Sequence, residues 1–237
     1  MYVMEGRVRY SEVNSEQTMT LSSFLKYFQD CCTFETEDLG IGIDFMNERL
    51  VTWMLSSWQV EVNRNPKFGE MIRVKTWPYD FGGFYGYRNF VLEDESGEVC
   101  VYANSIWVFI DIGIGKPTRI LPEILDKHVM EEKYDMIYAQ RKVKMPDVME
   151  ALPRVPIMKS QIDTNHHVNN EQYIAIAEQY LSDKEKIIQM RAEYKKAAIL
   201  DSVIYPFVKR KDDTVYVSLK DEIGKSYVDI QFDVEQE

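Results

Sequence analysis

Thr20-Leu21-Ser22-Ser23-Phe24-Leu25-Lys26-Tyr27-Phe28 is the stretch from which the organisation of the chain unfolds. Thr20 carries a helix-capping hydroxyl, and Leu21, Phe24, Leu25 and Phe28 recur at the three- and four-residue spacing of one helical face. The spacing predicts a helix to about Phe34. Before it, Val3 to Tyr10 alternates like a strand, with Val8 and Tyr10 on one side and Arg7 and Arg9 on the other. After it, strand-like runs are expected near 50–63, 70–79, 84–93 and 99–111. Their boundaries are the turn signals Asn65-Pro66, Phe81-Gly82-Gly83 and Asp94-Glu95-Ser96-Gly97. The predicted unit is one helix followed by a long antiparallel meander.

That unit recurs. Residues 155–164 read as a strand, and Asn169 or Asn170 caps a second helix reaching about Leu181, with Tyr173, Ile174, Ala177 and Leu181 as its apolar stripe. Strands are expected at 187–197, 202–209, 213–220 and 226–233. A shift of 149 residues carries Ser11 onto Ser160, Val13 onto Ile162, Asn14 onto Asp163 and Phe24 onto Tyr173. Identity is thin, and the shared order of elements carries more weight than the letters. The fold class expected is α+β: a tandem, double hotdog, each module a long helix wrapped by a curled antiparallel sheet. A fused pair covers the sheet edge that a lone module leaves open. Two unrelated α+β domains are the alternative. The expected boundaries are 1–130 for an N-terminal module, 131–150 for a charged interdomain linker, and 151–237 for a C-terminal module carrying the catalytic segment.

Composition narrows the function classes. Hydrophobic residues at 45% supply a sizeable core and exclude wholesale disorder. The best apolar run, Ile106 to Ile110, is strand-sized, so no membrane span is expected. Glu5, Arg7 and Arg9 interrupt the first ten residues, so neither a secretory signal nor a transit peptide is expected. Three cysteines, two of them adjacent, suit a reducing cytosol, and a cytoplasmic location is expected. Acidic residues outnumber basic ones 39 to 28, and the net charge of −11 disfavours nucleic acid and anionic membranes. A small-molecule or protein-borne substrate fits better.

Two of the three histidines fall in Asp163-Thr164-Asn165-His166-His167-Val168-Asn169-Asn170, just before the second helix. In an extended segment, Asp163, Asn165 and His167 project to one side. An imidazole can take a proton from water, a carboxylate can support the imidazolium, and an amide can donate to an oxyanion. Those parts suffice to hydrolyse an activated acyl group. A polar loop capping a helix also naturally contains Asp, Asn and His, so a purely structural reading stays open. No metal-ligand spacing, phosphate loop, Gly-x-Ser-x-Gly elbow or Gly-x-Gly-x-x-Gly is present. Cys31, Cys32 and Cys100 read as small core residues.

The run Asp163-x-Asn165-x-His167-Val168-Asn169-Asn170-x-x-Tyr173 closely resembles the signature of acyl-acyl carrier protein thioesterases, enzymes that end fatty acid synthesis in plants and occur in many bacteria. Trp58-Gln59-Val60-Glu61-Val62-Asn63-Arg64-Asn65-Pro66-Lys67-Phe68-Gly69-Glu70 is similar to that family's strand and turn. Arg88 with Phe90, Gly97-Glu98, Ala103-x-Ser105-x-Trp107-Val108 and Arg119-x-x-Pro122-Glu123 follow in family order. The resemblance covers roughly 4–233 and implies a double hotdog that hydrolyses an acyl thioester carried on a phosphopantetheine arm. One departure matters. After Glu193-Tyr194-Lys195-Lys196 the family places a glutamate, and plant members then a cysteine, where this chain has Ala197 and Ala198.

The expected function is hydrolysis of fatty acyl-acyl carrier protein to free fatty acid and carrier protein, with His167 as general base, Asp163 in support and Asn165 at the oxyanion. Direct attack by Asp163 through an anhydride stays open. The alternatives are an acyl-coenzyme A thioesterase and a non-catalytic acyl-chain binder, the latter because of Ala197. No metal or organic cofactor is expected, since the pantetheine arm arrives with the substrate. The expected partner is acyl carrier protein, met by a monomer or a homodimer. Arg141, Lys142 and Lys144, or Lys209, Arg210 and Lys211, are the basic clusters that could receive an acidic carrier.

Overall fold

The protein's structure, a computed structural model, describes residues 1–182 and 184–236. It divides into two compact units: Met1–Ser56 with Val62–Tyr138, and Ser57–Glu61 with the chain from Ala139 onward. Both are an α-helix on an antiparallel sheet.

The first unit begins with β1 (Tyr2–Arg7), a short 3-10 turn at Tyr10–Glu12, and α1 (Leu21–Asp38). The Thr20 hydroxyl caps α1 by accepting from Ser23 N at 3.3 Å. The stripe then buries Phe24, Leu25, Phe28 and Cys31. A six-residue helix, α2 (Ile43–Glu48), leads into β2 (Val51–Val62), β3 (Met71–Gly82), β4 (Tyr85–Asp94), β5 (Val99–Asp111), the two-residue β6 (Lys116–Pro117) and α3 (Pro122–Lys127). The strands run β1-β3-β4-β5-β2. Phe28 meets Phe90 at 5.0 Å between ring centres, and Val74, Leu92 and Val101 fill the layer between helix and sheet. A register shift at Pro78/Asp80 curls the sheet. A smaller cluster beside α2 and α3 packs Met46, Phe109, Ile120 and Ile124.

The second unit holds β7 (Glu150–Ala151), β8 (Val155–Pro156), a 3-10 turn at Lys159–Gln161, α4 (Asn170–Glu178), β9 (Glu185–Tyr194), β10 (Val203–Lys211), β11 (Thr214–Lys220) and β12 (Ser226–Gln236). Its sheet runs β9-β12-β11-β10-β7, with residues 57–61 of β2 paired to β9, Trp58 opposite Ala192. Tyr173, Ile174 and Ala177 of α4 are buried with Met190, Ile230 and Phe232. This is the double hotdog: in each module one principal helix, α1 or α4, packs on a curled antiparallel sheet.

The structure differs from expectation at the helix ends, where α1 runs on to Asp38 and α4 stops at Glu178, and at three further places, each with a physical cause. The strand expected at 155–164 is only Val155–Pro156, because Met158 N donates to Gln161 Oε1 at 2.7 Å and closes a 3-10 turn. The strand expected to reach residue 197 ends at Tyr194, where Lys195 N and Lys196 N both donate to Tyr227 O, at 2.8 and 3.3 Å, and the ladder stops. The stretch 131–150 divides at Tyr138. Up to there it is tied to the first unit's sheet: Trp77 Nε1 donates to Glu132 O at 2.9 Å, and buried Asn89 Oδ1 accepts from Tyr134 N and the Tyr138 hydroxyl. Beyond it, Ala139 N donates to Gln59 Oε1 at 2.8 Å, and Arg191 reaches the carbonyls of Gln140 and Lys142.

Candidate active site

The segment 163–167 is a turn, not the extended run that the alternation argument assumed. Asp163 closes it. Its Oδ1 accepts from Asn165 N at 2.8 Å and His167 N at 3.1 Å, while its backbone N donates to His167 O at 2.8 Å. His166 takes a left-handed φ of 61°, which bends the chain back. Asp163, Asn165 and His167 therefore share one loop because a carboxylate spends an oxygen on backbone amides. Their side chains do not line up through strand alternation. Asn165 is exposed, and Asp163 and His167 are half-buried.

The loop is anchored on both sides. Ile162 pairs with Val168, and His167 pairs with Ile199, each through an isolated antiparallel bridge. Val168 N donates to Ala198 O at 2.9 Å. Asn169 then caps α4 through Glu171 N, so the helix N-terminus begins two residues beyond His167. Ala197 is half-buried in the extended run after β9, and Ala198 is fully buried. The Tyr173 hydroxyl accepts from Ala198 N at 2.8 Å. Burial holds the Tyr173 phenol far above its ordinary range, so it stays protonated. Near the same run, Lys195 pairs with Asp229 at 2.5 Å and Lys196 with Asp221 at 2.6 Å.

Sequence reasoning identified the loop residues and placed Tyr173 in the apolar stripe and at the end of the signature run, with no role for its hydroxyl. Nothing in the letters signals that its hydroxyl meets the amide of residue 198. The cysteines offer no activated thiol: burial pushes Cys31 up to about 12 and Cys100 up to about 11. Among the described residues no group of three or more His, Cys, Asp or Glu could hold a metal. Of the two basic clusters, Arg210 is held by Glu185 and by Tyr180 O, and Arg141 lies 3.8 Å from Glu193. Lys142, Lys144, Lys209 and Lys211 are exposed.

A module of one helix on a curled sheet, duplicated, with a polar loop entering the second helix, defines a tandem hotdog of the thioesterase kind. The model for the acyl-ACP thioesterase N-terminal domain matches residues 1–128, more than half of the chain, and the chain belongs to that family. An acyl-[acyl-carrier-protein] hydrolase of Cuphea viscosissima is 25% identical over 217 residues, 83% of this chain and 52% of the relative. An oleoyl-acyl carrier protein thioesterase of Arabidopsis thaliana is 22% identical over 219 residues. Both relatives are described as chloroplastic. The chain spans about half the length of the Cuphea relative. In fold, it matches an acyl-ACP thioesterase from Bacteroides thetaiotaomicron with a TM-score of 0.89 at 21% identity, covering 98% of this chain and 97% of that one. It also matches a 12:0-ACP thioesterase from Umbellularia californica with a TM-score of 0.84 at 20% identity, covering 99% and 98%.

Proposed function

We propose that the protein hydrolyses fatty acyl-acyl carrier protein to free fatty acid and carrier protein. The observation that carries this reading is the closed turn at the start of α4. It brings an imidazole, a carboxylate and a primary amide into one loop of a chain belonging to this family. His167 takes a proton from water as the water oxygen attacks the thioester carbonyl. The C–S bond then breaks, and the imidazolium returns its proton to the departing pantetheine thiolate. The Asp163 carboxylate stabilises the imidazolium electrostatically, and Asn165 donates to the oxyanion. The first module, with Thr18 where the second has His167, supplies the acyl pocket and not the chemistry.

No metal or organic cofactor enters these steps. The carrier protein docks through the unpaired lysines Lys142, Lys144, Lys209 and Lys211, which offset the net charge of −11 locally. Three free cysteines fit a reducing, cytoplasmic setting. The described helices include none long and apolar enough to cross a membrane.

Steady-state turnover of acyl-carrier protein against acyl-coenzyme A, on one preparation, tests the proposal. The expected result is a kcat/KM for the carrier-protein substrate at least ~10-fold above that for the coenzyme A thioester, a difference of about 1.4 kcal/mol. A reversed preference assigns the activity to acyl-coenzyme A. Acyl binding without turnover assigns a binding role, as the alanine at 197 would allow.

A further inference from the structure

The second copy of the loop makes one contact that the first copy lacks and that folding does not require. In the second unit, Val168 N donates to Ala198 O, and the Ala198 N–H donates in turn to the Tyr173 hydroxyl at 2.8 Å. In the first unit the same rung exists, Met19 N to Pro66 O at 2.8 Å. Its carbonyl, however, belongs to a proline, which has no N–H. The helix position equivalent to Tyr173 is Phe24, which has no hydroxyl. Donor and acceptor are missing together, yet the turn, the rung and the helix cap all persist. The phenol–amide bond is therefore surplus to building this loop. It occurs in the copy that carries Asp163 and His167.

Building on the hydrolytic reading above, we propose that Tyr173 is a positioning residue of that site, clamping the 197–199 run through the Ala198 amide so that His167 is held at a fixed place. The chain of contacts is short. His167 pairs with Ile199, Ala198 sits between Ile199 and Ala197, and Tyr173 grips Ala198 from α4. Tyr173 is itself immobilised, being 2% exposed and packed edge-on against Tyr194 at 6.1 Å and tilted against Tyr227 at 6.4 Å between ring centres. A rigid phenol gives the run a reference in the core that an exposed segment lacks. The hydroxyl accepts from Ala198 N and keeps its own proton.

The test compares wild type, Tyr173→Phe and the double variant Tyr173→Phe/Ala198→Pro, which installs the first module's own solution. Tyr173→Phe leaves a buried amide without its acceptor, so its melting temperature falls. Its kcat is expected to fall ~10- to 100-fold with KM within ~2-fold, the signature of misplaced catalytic groups. The double variant removes the orphaned N–H and regains melting temperature, but kcat stays low. Recovery of kcat together with stability, or a wild-type kcat in Tyr173→Phe, overturns the inference and leaves the hydrolytic reading standing. A wild type that turns over no acyl thioester overturns both.

Discussion

Asp163 repeats, 149 residues later, the backbone work of Asn14. Asn14 Oδ1 accepts from Glu16 N at 3.1 Å and Thr18 N at 3.0 Å, as Asp163 Oδ1 accepts from Asn165 N and His167 N. Gln17 takes φ 63° where His166 takes 61°. An amide oxygen thus suffices to close the turn, and the negative charge is what the second copy adds. Asp163→Asn is therefore expected to fold with a near wild-type melting temperature while kcat drops ~10²-fold or more, from loss of electrostatic support to the imidazolium. Asp163→Ala also removes the acceptor that closes the turn for Asn165 N and His167 N, at about 0.5–1.5 kcal/mol for each lost hydrogen bond. Thermal melts and turnover on the same samples check the separation. An Asp163→Asn protein with full kcat would show that the charge is idle.

His167→Ala is expected to lower turnover by at least ~10²-fold if the imidazole is the general base. His166→Ala should retain most activity. Its neighbour's bridge to Ile199 fixes His167, whereas His166 is exposed at the tip of the turn. The left-handed φ at 166 makes His166→Gly a strain-free control. Equal losses in turnover at both positions, with melts unchanged, would mean that the wrong histidine carries the proton.

The duplicated plan was legible because it rests on local signals. Thr20 before Leu21, Phe24, Leu25 and Phe28 marks a cap and a stripe, and the 149-residue shift aligns Asn14 with Asp163. What stayed hidden depends on contacts far apart in sequence. The end of β9 is set by the Tyr227 carbonyl taking two amides, and no property of Lys195 or Lys196 announces it. The six residues of α2 are too short to show a helical period. The sequence named the candidate residues Asp163, Asn165 and His167 but not the shape of the loop that holds them. Strand alternation describes extended chain, and Asp163 makes its segment a turn.

Asn89 shows the same limit in the first module. Fully buried in β4, it donates to Ala103 O at 3.1 Å and accepts from Tyr134 N and the Tyr138 hydroxyl, 45 and 49 residues away. Asn89→Ala leaves buried donors and acceptors unpaired, each costing ~1–3 kcal/mol. The expected outcome is a loss of unfolding free energy in that range, with the 131–138 strap exchanging its amide hydrogens faster than the rest of the sheet. Denaturant titration and hydrogen exchange measure both. An unchanged midpoint would remove Asn89 from the account of how the strap is held.

His128 gives the first unit a pH dependence. It lies against Phe81 with ring centres 5.5 Å apart, and its buried Nδ1 has no hydrogen-bond partner. Burial, then the Arg88 charge, lowers its pKa from 6.5 to about 4. Between those values the unfolded chain binds more protons than the folded one. Stability from this residue is thus complete above pH 6.5, falls as pH drops toward 4, and levels off below. His128→Phe keeps the ring contact and cannot titrate. Its melting temperature is expected to gain on wild type progressively as the pH is lowered across that window, with little difference at neutral pH. A constant offset between the two proteins at every pH would refute the assignment.

Ala197 tests how the proposed site works without the acid that the family resemblance leads one to expect there. It lies in the run after β9, next to Ala198, whose carbonyl holds Val168, and two residues from the partner of His167. The expectation under test is that a water beside this small side chain takes the place of the missing acid. Ala197→Glu would place a carboxylate near that water and is expected to raise kcat ~10-fold, equivalent to ~1.4 kcal/mol of barrier. Two effects oppose the gain: overpacking of a half-buried position, and the cost of a charge without a partner. Lys195 and Lys196 already pair with Asp229 and Asp221, so recruiting either means breaking an existing bridge. Ala197→Gln separates the two contributions, since it matches the size of glutamate without its charge. A gain in Ala197→Glu alone assigns the effect to the carboxylate, and equal losses in both variants assign it to crowding. If both fold normally with kcat and KM unchanged, the side chain at 197 does not face the reacting water.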